Sequence, residues 1–408
     1  MNILLINHYA GSIVHGMEYR PFYFAREWKN LGHSPHIIAA SASHVRYISP
    51  KMRGLVTSEE IQGIPYLWVK TPGYNKNNAR RVANMLAFVS WLTVNSGRIA
   101  RSKRPDVVIA SSTYPLDIIP AYLVAKHCGA KLIYEVHDLW PLSLIELGAM
   151  SATNPFIMLT QWAEDFAYRK ADRVVSILPK SREHMVKRGM HPCKFHYVPN
   201  GIDIDEWKSP SGRLPENHEH VLTGLRKEGR FIVGYAGAHG LANALHNLVE
   251  AAGLLESQPV VIVLVGQGPE KEKLEDLTRQ RGLENAIFLP PVARSCIPRL
   301  LALMDVLYIG LQKMPLFRFG ISPNKLMDYM MAGKPVLQAI EAGNDMVASA
   351  GCGISLPPEN PLAIANAVRK LMQLDEDERT LMGRRGQEFV LANHDYRILA
   401  SNFIDRLI

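Results

Sequence analysis

Residues 259–268, PVVIVLVGQG, form an unbroken apolar run that ends among glycines. A strand with no polar side is buried on both faces, the condition of a strand inside a parallel sheet. Similar runs lie on either side: FIVGYAGA from Phe231, AIFLPP from Ala286, DVLYIG from Asp305 and PVLQAI from Pro335, with helical patterns between them. Toward the N-terminus the alternation recurs at residues 2–6, 36–40, 106–110, 131–136 and 173–177, with a helical stretch at 19–31. Continuous apolar strands joined by helices make an α/β protein with parallel sheets covered on both faces. The alternation breaks once, between Asn200 and Arg230, where Gly201, Pro210, Gly212 and Pro215 stand among charges. The pattern predicts two doubly wound domains facing a cleft, residues 1–198 and 209–385, joined by a linker at 199–208. Residues 386–408 have a helical pattern and no strand to pair with, so a helix returning to the first domain is expected there.

The chain has 408 residues, too long for one ordinary core and comfortable for two. Hydrophobic residues at 47% and charged residues at 21% exclude wholesale disorder. The longest apolar run, residues 82–94, is interrupted by Asn84, Ser90 and Thr93 and falls short of the ~18 residues a membrane span needs. The start, MNILLINHYA, has neither a basic segment nor an apolar core for export, so a cytoplasmic protein is expected. Cys128, Cys193, Cys296 and Cys352 are widely spaced without a C-x-x-C pair, which suggests neither a disulfide frame nor a zinc site. Forty-six Lys and Arg against 38 Asp and Glu leave a charge of +8, suited to nucleic acid, anionic lipid or an anionic substrate.

Ligands of open α/β sheets bind beyond the carboxyl ends of the strands, and three such places carry unusual chemistry. After the first strand come His8, Tyr9, Gly11, His15, Gly16, Met17 and Glu18, a loop of small residues leading into a helix. Such a loop can bring amides to an anion or simply turn the chain. It is not G-x-G-x-x-G, which disfavours a dinucleotide site. The run YEVHDLWP, residues 134–141, ends a strand on His137 and Asp138 and adds Trp140. Imidazole titrates near neutrality and a carboxylate can orient it, so both are candidate catalytic residues. Neighbours on a strand point to opposite faces, however, and a structural histidine is the alternative.

The third place is FGISPNKLMDYMMAGKPV, residues 319–336. Ser322 and Pro323 read as N-cap and first helical position of a helix over 324–332 ending at Gly333. Asn324 and Lys325 lie in its first turn, where free amides and a cation suit phosphate. Asp328 follows on the same face, and an ionised Asp can accept from two vicinal hydroxyls of a ribose. The run GYAGAHG, residues 234–240, supports this site: Gly237 and Gly240 allow close backbone approach to a diphosphate, with His239 between them.

Together these segments resemble the retaining glycosyltransferases of the group 1 family, glycosyltransferase family 4. The likeness covers nearly the whole chain, including the loop at Gly16, VHDLWP, VPNGID at 198–203, GYAGAHG and SPNKLMDYMMAGKPV. It is nearest to the branch that builds bacterial O-antigen, capsule and exopolysaccharide units and includes fucosamine transferases. The resemblance implies a GT-B fold of two Rossmann-like domains, the first for the acceptor and the second for the nucleotide-sugar. It implies that Asp328, the second acid of E-x7-E, holds the ribose, that His137 sits beneath the donor sugar, and that Gly16 lies beside its diphosphate. The first acid falls at Gly320 and is missing; amides around Ser322 to Lys325 are expected to replace it. The family's phosphate-gripping Arg and Lys are missing too, where this chain has Ala238, His239 and Asn243, which leaves Lys325 as the cation.

The activity implied is transfer of a sugar from a UDP-sugar co-substrate, a UDP-N-acetyl sugar in particular, to a lipid-linked glycan, with retention and no further cofactor. Asp203-Ile-Asp205 and Asp375-Glu-Asp377 resemble D-x-D but fall in the linker and in a charged helix turn, so no metal is expected. Residues 79–104 are apolar in the middle, with Met85, Leu86, Phe88, Trp91 and Leu92. They are basic at the ends, with Arg80, Arg81, Arg98, Arg101, Lys103 and Arg104. That pattern suits a helix lying on the anionic inner leaflet, where it would meet the acceptor, or a core helix with solvated ends. A UDP-sugar 2-epimerase shares the two-domain plan, and a glycosyltransferase-like partner without activity would account for the lost acid. Nucleic acid is not expected as a partner, because no aromatic-basic interleaving appears.

Overall fold

The computed structural model describes residues 1–74, 79–208 and 212–408. Residues 209 and 210, at the expected start of the second domain, lie outside them. The chain divides into two compact units. Unit 1 is Met1–Asn200, Phe319–Ile321 and Tyr396–Ile408, and unit 2 is Gly201–Arg318 and Ser322–Asp395.

Among the described residues of unit 1, the strands are β1 (Asn2–Ile6), β2 (Ser34–Ala40), β3 (Val56–Ile61), β4 (Ile64–Val69), β5 (Val107–Ala110), β6 (Lys131–Val136), β7 (Arg173–Ser176) and β8 (Phe195–Tyr197). Their order is β3-β4-β2-β1-β5-β6-β7-β8. The central strands are apolar because helices cover both faces: Leu4 and Ile6 face one cluster, Ile3 and Leu5 the other. The exception is β3, which pairs antiparallel with β4 through a two-residue turn at Gln62 and Gly63, both at positive φ. Its exposed side chains alternate with half-buried ones, as on an edge strand with one wet face.

In unit 2 the strands are β9 (Phe231–Ala236), β10 (Val260–Val265), β11 (Ala286–Leu289), β12 (Val306–Gly310), β13 (Val336–Ala339) and β14 (Gly353–Leu356), in the order β11-β10-β9-β12-β13-β14. All neighbours are parallel. The run that predicted a parallel sheet, β10, is buried at every residue.

The helix Ala79–Lys103 buries Met85, Phe88, Val89, Leu92, Ile99 and Ala100 in the core beneath β1 and β5. Of the two readings of this stretch, the core helix holds for its apolar stripe, because the sheet needs that face covered. Arg80, Arg98, Arg101 and Arg104 remain exposed, and Trp91 is half-buried. The C-terminal stretch is two helices, Glu376–Asn393 and Tyr396–Leu407. Pairing of Ile202 with Asp395, together with the bond from the Ile202 amide to the His394 carbonyl at 2.8 Å, pulls the backbone out of helix between them. The second helix lies on Arg20–Asn30 in unit 1, where Tyr396 stacks on Tyr23 at 4.9 Å and Phe403 meets Trp28 at 5.1 Å.

Candidate functional site

Ligands of an open parallel sheet gather where the chain leaves a strand in opposite directions. In unit 1 that strand is β1, between β2 and β5; in unit 2 it is β9, between β10 and β12. Both predicted glycine-bearing loops, at residues 7–18 and 237–243, follow these strands.

In the first loop Asn7 donates to the Ser111 carbonyl at 2.6 Å, and His8 Nδ1 meets Tyr114 Oη at 2.7 Å, tying β1 to β5. Burial, aided by Arg46, pushes His8 down to about 3, so it is a neutral structural residue. Gly16 closes a tight turn with Ser12. Its amide donates to the Ser12 carbonyl at 2.8 Å and its carbonyl accepts from Ser12 at 3.0 Å, so that amide is already spent. Glycine is needed for shape: φ is +96°, and a Cβ would stand 2.6 Å from the Tyr47 ring.

His137 lies at the end of β6. Its Nε2 is 3.0 Å from Ser111 Oγ and 3.4 Å from Glu135 Oε2, and Ser111 Oγ donates to Glu135 at 2.5 Å. Glu135 in turn accepts from Arg20 Nε and Nη2 at 3.0 and 2.8 Å, with side chains only 5% and 1% exposed. Burial alone would raise the Glu135 carboxyl, but Arg20, His137 and Ser111 outweigh it and hold it well below the usual carboxylate range. The carboxylate that engages His137 is thus Glu135 and not the expected Asp138. Asp138 turns into its own loop, accepting from the Leu139 amide at 2.8 Å, and burial raises it. Strand alternation is the cause, because residues 135 and 137 share a face. Beside them the Arg81 guanidinium lies 5.7 Å from the Tyr9 and Trp140 ring centres and donates to Tyr9 Oη at 3.3 Å. Arg81, expected toward a membrane, belongs to this edge.

In unit 2 the loops after β9 and β10 interlock. Gly237 donates to the Val265 carbonyl, the His239 amide to the Gln267 carbonyl and the Glu270 amide to the His239 carbonyl, at 2.9 to 3.0 Å. A Cβ on Gly266 would stand 1.9 Å from the Gly237 oxygen. The His239 ring is buried between Tyr235 and Phe288, with neither nitrogen hydrogen-bonded among the described residues. Burial, with Lys271 and Lys325 nearby, pushes it to about 4. Its ring therefore contributes bulk, while its amide and carbonyl join the two loops. Gly240 has an extended backbone, φ −101°, and opens a short 3-10 turn at Leu241–Asn243.

The helix Asn324–Met331 starts where expected and ends one residue earlier; its N-cap is Pro323, with ψ 125°, where Ser322 was expected, and Ser322 is buried ahead of it. Tyr329 anchors this helix to the switch strand, accepting from the Ala236 amide at 2.8 Å. Lys325 reaches back to the β9 loop, donating to Tyr235 Oη at 2.8 Å and Asn243 Oδ1 at 2.7 Å, and lies 3.4 Å from where a Gly237 Cβ would be. Burial pushes its ammonium down to about 8. Two of its three N–H donors are thereby used. Asp328 is taken by Arg294, whose Nη1 and Nη2 donate to its two oxygens at 3.1 and 3.2 Å. Gly320 has φ +98°, so the family's first acid would be strained at this position. Asp375, of the second D-x-D look-alike, caps Glu376–Asn393 by accepting from the Glu378 amide at 2.7 Å.

Glu135, Arg20 and Arg294 were not singled out from sequence. The available signal was a charge inside an apolar run, as in LIYEV at 132–136, because a buried charge needs a partner.

Residues 15–201 match the Glycosyl transferase 4-like domain, and residues 222–389 match Glycosyl transferases group 1. WbjE of Pseudomonas aeruginosa, named as a glycosyltransferase, is 24% identical over 75% of this chain and 76% of its own. WcaI of Escherichia coli K12, named for colanic acid biosynthesis, is 24% identical over 62% of each chain. The structure of Anabaena Alr3699/HepE in complex with UDP and glucose superposes with a TM-score of 0.68 at 17% identity, covering 100% of this chain and 99% of that one. Two parallel-sheet α/β units, each with a loop site at its switch strand, are the GT-B plan. The chain belongs to the group 1 glycosyltransferases.

Proposed function

We propose that the chain moves a sugar from a UDP-sugar, in particular a UDP-N-acetyl sugar, to a lipid-linked glycan in bacterial surface polysaccharide synthesis, with retention and without a metal. The observation that carries the donor assignment is Lys325, whose ammonium joins the first turn of the Asn324–Met331 helix to the loop after β9. A cation, helix-start amides and a glycine loop meet where a leaving diphosphate needs its charge spread. HepE, solved with UDP and with UDP-glucose, supports the choice of nucleotide. In a front-face displacement the anomeric carbon–oxygen bond to diphosphate breaks and the acceptor oxygen bonds to that carbon on the same face. The acceptor proton passes to the departing phosphate oxygen. On unit 1, Arg81 with Tyr9 and Trp140 offers the acceptor a cation between rings, and the Glu135–Ser111 pair holds His137 in one orientation.

UDP release from a panel of UDP-sugars, with and without a lipid-linked acceptor and in EDTA, tests this. Acceptor-dependent release unaffected by EDTA is expected, with an α-linkage from an α-donor by proton coupling. Activity lost in EDTA and restored by Mn²⁺ would overturn the metal-free reading, and an inverted product the retaining one. Release with no acceptor points to an epimerase, and none with any sugar to an inactive partner.

No helix among the described residues is long and apolar enough to cross a membrane. Peripheral attachment rests on exposed Arg98, Arg101 and Arg104, each worth about 1 kcal/mol near an anionic leaflet. Flotation with anionic vesicles should weaken in salt and vanish in the triple Glu variant; binding to neutral vesicles alike would sink it.

A further inference from the structure

The polar cluster at the end of β6 determines which nitrogen of His137 carries a proton. Arg20 gives Nε and Nη2 to Glu135 Oε1 and holds the carboxyl well below its usual range, so Glu135 is an anion. An ionised carboxylate only accepts. The hydrogen of Ser111 Oγ therefore goes to Glu135 Oε2, at 2.5 Å. Asn7 is fixed as well. Its Oδ1 accepts from the Tyr9 amide at 2.9 Å, and its Nδ2 donates to the Ser111 carbonyl at 2.6 Å and to Ser111 Oγ at 3.2 Å.

A serine hydroxyl has one hydrogen and two lone pairs. In Ser111 the hydrogen is on Glu135 and one lone pair faces Asn7, so the other faces His137 Nε2, at 3.0 Å. Its partner there must be an N–H. The second atom near Nε2 is Glu135 Oε2 at 3.4 Å, which also only accepts. Nε2 is thus a donor even in the neutral ring. The two nitrogens of an imidazole point to nearly opposite sides, so Nδ1 turns away from the cluster. It has no hydrogen-bond partner among the described residues, and the side chain is 12% exposed. With Nε2 protonated, a neutral ring offers a lone pair at Nδ1, which suits a hydroxyl and repels a phosphate oxygen.

We infer that Ser111 and Glu135 are positioning residues that hold His137 as its Nε2–H tautomer, so that Nδ1 meets a sugar hydroxyl as an acceptor. Any proton the ring takes up or returns then passes through Nδ1. This rests on the reading of His137 as a group that meets the sugar, and the experiment separates the two.

Glu135→Gln reverses the relay without removing it. Arg20 has only donors to offer, so the carboxamide turns its oxygen to Arg20 and its NH2 to Ser111. Ser111 then accepts from the amide and donates to Nε2, and the proton of the neutral ring moves to Nδ1. Nitrogen NMR of the full chain with isotope-labelled histidines, in solution alkaline enough to keep the rings neutral, reads the tautomer from its two-bond couplings. The spectrum of His137→Gln identifies the signal. Nε2–H is expected in the unsubstituted protein and Nδ1–H in Glu135→Gln.

The second arm measures binding of the UDP-sugar that the chain turns over, with each sugar hydroxyl replaced in turn by hydrogen and by fluorine. Neither has the proton that Nδ1 needs. At one position both should weaken binding about two- to tenfold, the range of one neutral hydrogen bond, with fluorine no better than hydrogen. In Glu135→Gln the outward nitrogen is a donor, and fluorine there should bind at least about twofold tighter than hydrogen. A fold defect weakens both analogues alike and leaves their ratio unmoved. Nδ1–H in the unsubstituted protein, or Nε2–H kept in Glu135→Gln, overturns the positioning role and leaves the sugar reading to the analogues. A reversed tautomer with no hydroxyl position affected removes His137 from the sugar and overturns the inference. Should Glu135→Gln not fold, Arg20→Met/Glu135→Gln decides, because it removes both buried charges together. Its unpinned amide should give a mixture of tautomers, and a ring still wholly Nε2–H overturns the positioning role.

Discussion

Glu135→Gln is expected to lower the melting temperature more than any other single substitution near the site. The pair it breaks is buried, and among the described residues Arg20 would keep the Val198 and Pro199 carbonyls and the Asn200 side chain as neutral acceptors. Removing one partner of a buried ion pair costs about 3–5 kcal/mol, because the remaining charge stays dehydrated. For a domain of about 200 residues that corresponds to roughly 2–4 °C per kcal/mol. The loss carries a pH signature. The folded Glu135 carboxyl is held below its unfolded value, so its stabilisation is fully present above the unfolded value of about 4.3 and is lost as pH falls toward the folded one. The difference between the unsubstituted protein and Glu135→Gln should therefore be constant at neutral pH and shrink on acidification. Calorimetry from pH 7 down to pH 3 measures it, and a difference that grows on acidification would refute the assignment.

Lys325→Met is expected to have the opposite profile: donor binding lost, folding kept. A charge-assisted bond to phosphate is worth about 1.5–3 kcal/mol, so the UDP dissociation constant should rise roughly ten- to hundredfold. Burial holds the Lys325 ammonium at about 8, below an unfolded value of about 10.4. Between those two values the unfolded chain binds more protons, so stability rises with pH across that window, and below it the cost of burying the charge is fully present. Replacing the lysine removes that cost, and Lys325→Met should melt no lower than the unsubstituted protein at pH 7. UDP affinity should fall as pH rises through about 8, because the ammonium discharges. Lys325→Arg keeps its charge and should lose that pH dependence. Pyrophosphate titration beside UDP locates the effect: equal losses place the lysine on phosphate, and an unchanged pyrophosphate affinity would remove it from there.

What was legible in the amino-acid sequence follows burial. β1, β5, β9, β10 and β12 lie inside their sheets, and double-sided burial writes itself as apolar runs. β3, β8 and β14 lie at sheet edges or carry half-exposed side chains, so their composition is under weaker pressure; they were not foreseen, nor was β4, whose side chains alternate, whereas the edge strand β11 was foreseen from its short apolar run. The site divides the same way. Loops at switch strands and the start of a helix are local patterns, so Lys325, Asp328 and His137 could be singled out. Their partners are not local: Glu135 meets Arg20 across 115 positions, and Lys325 meets Asn243 across 82. The local bonding of Gly16 and His239 was not legible, because a glycine or histidine in a loop does not reveal whether its polar atoms are already engaged.

The helix Tyr396–Leu407 has a consequence for synthesis. It supplies Tyr396, Leu399, Phe403 and Leu407 to the core that also holds Tyr23, Phe24 and Trp28. On the ribosome those aromatic rings emerge early, and the whole of unit 2 must be translated before their cover exists. At ordinary elongation rates that interval is on the order of tens of seconds. Unit 2, second along the chain, is thus complete in sequence before unit 1 is. The nascent first unit therefore carries part of its aromatic core uncovered throughout that interval.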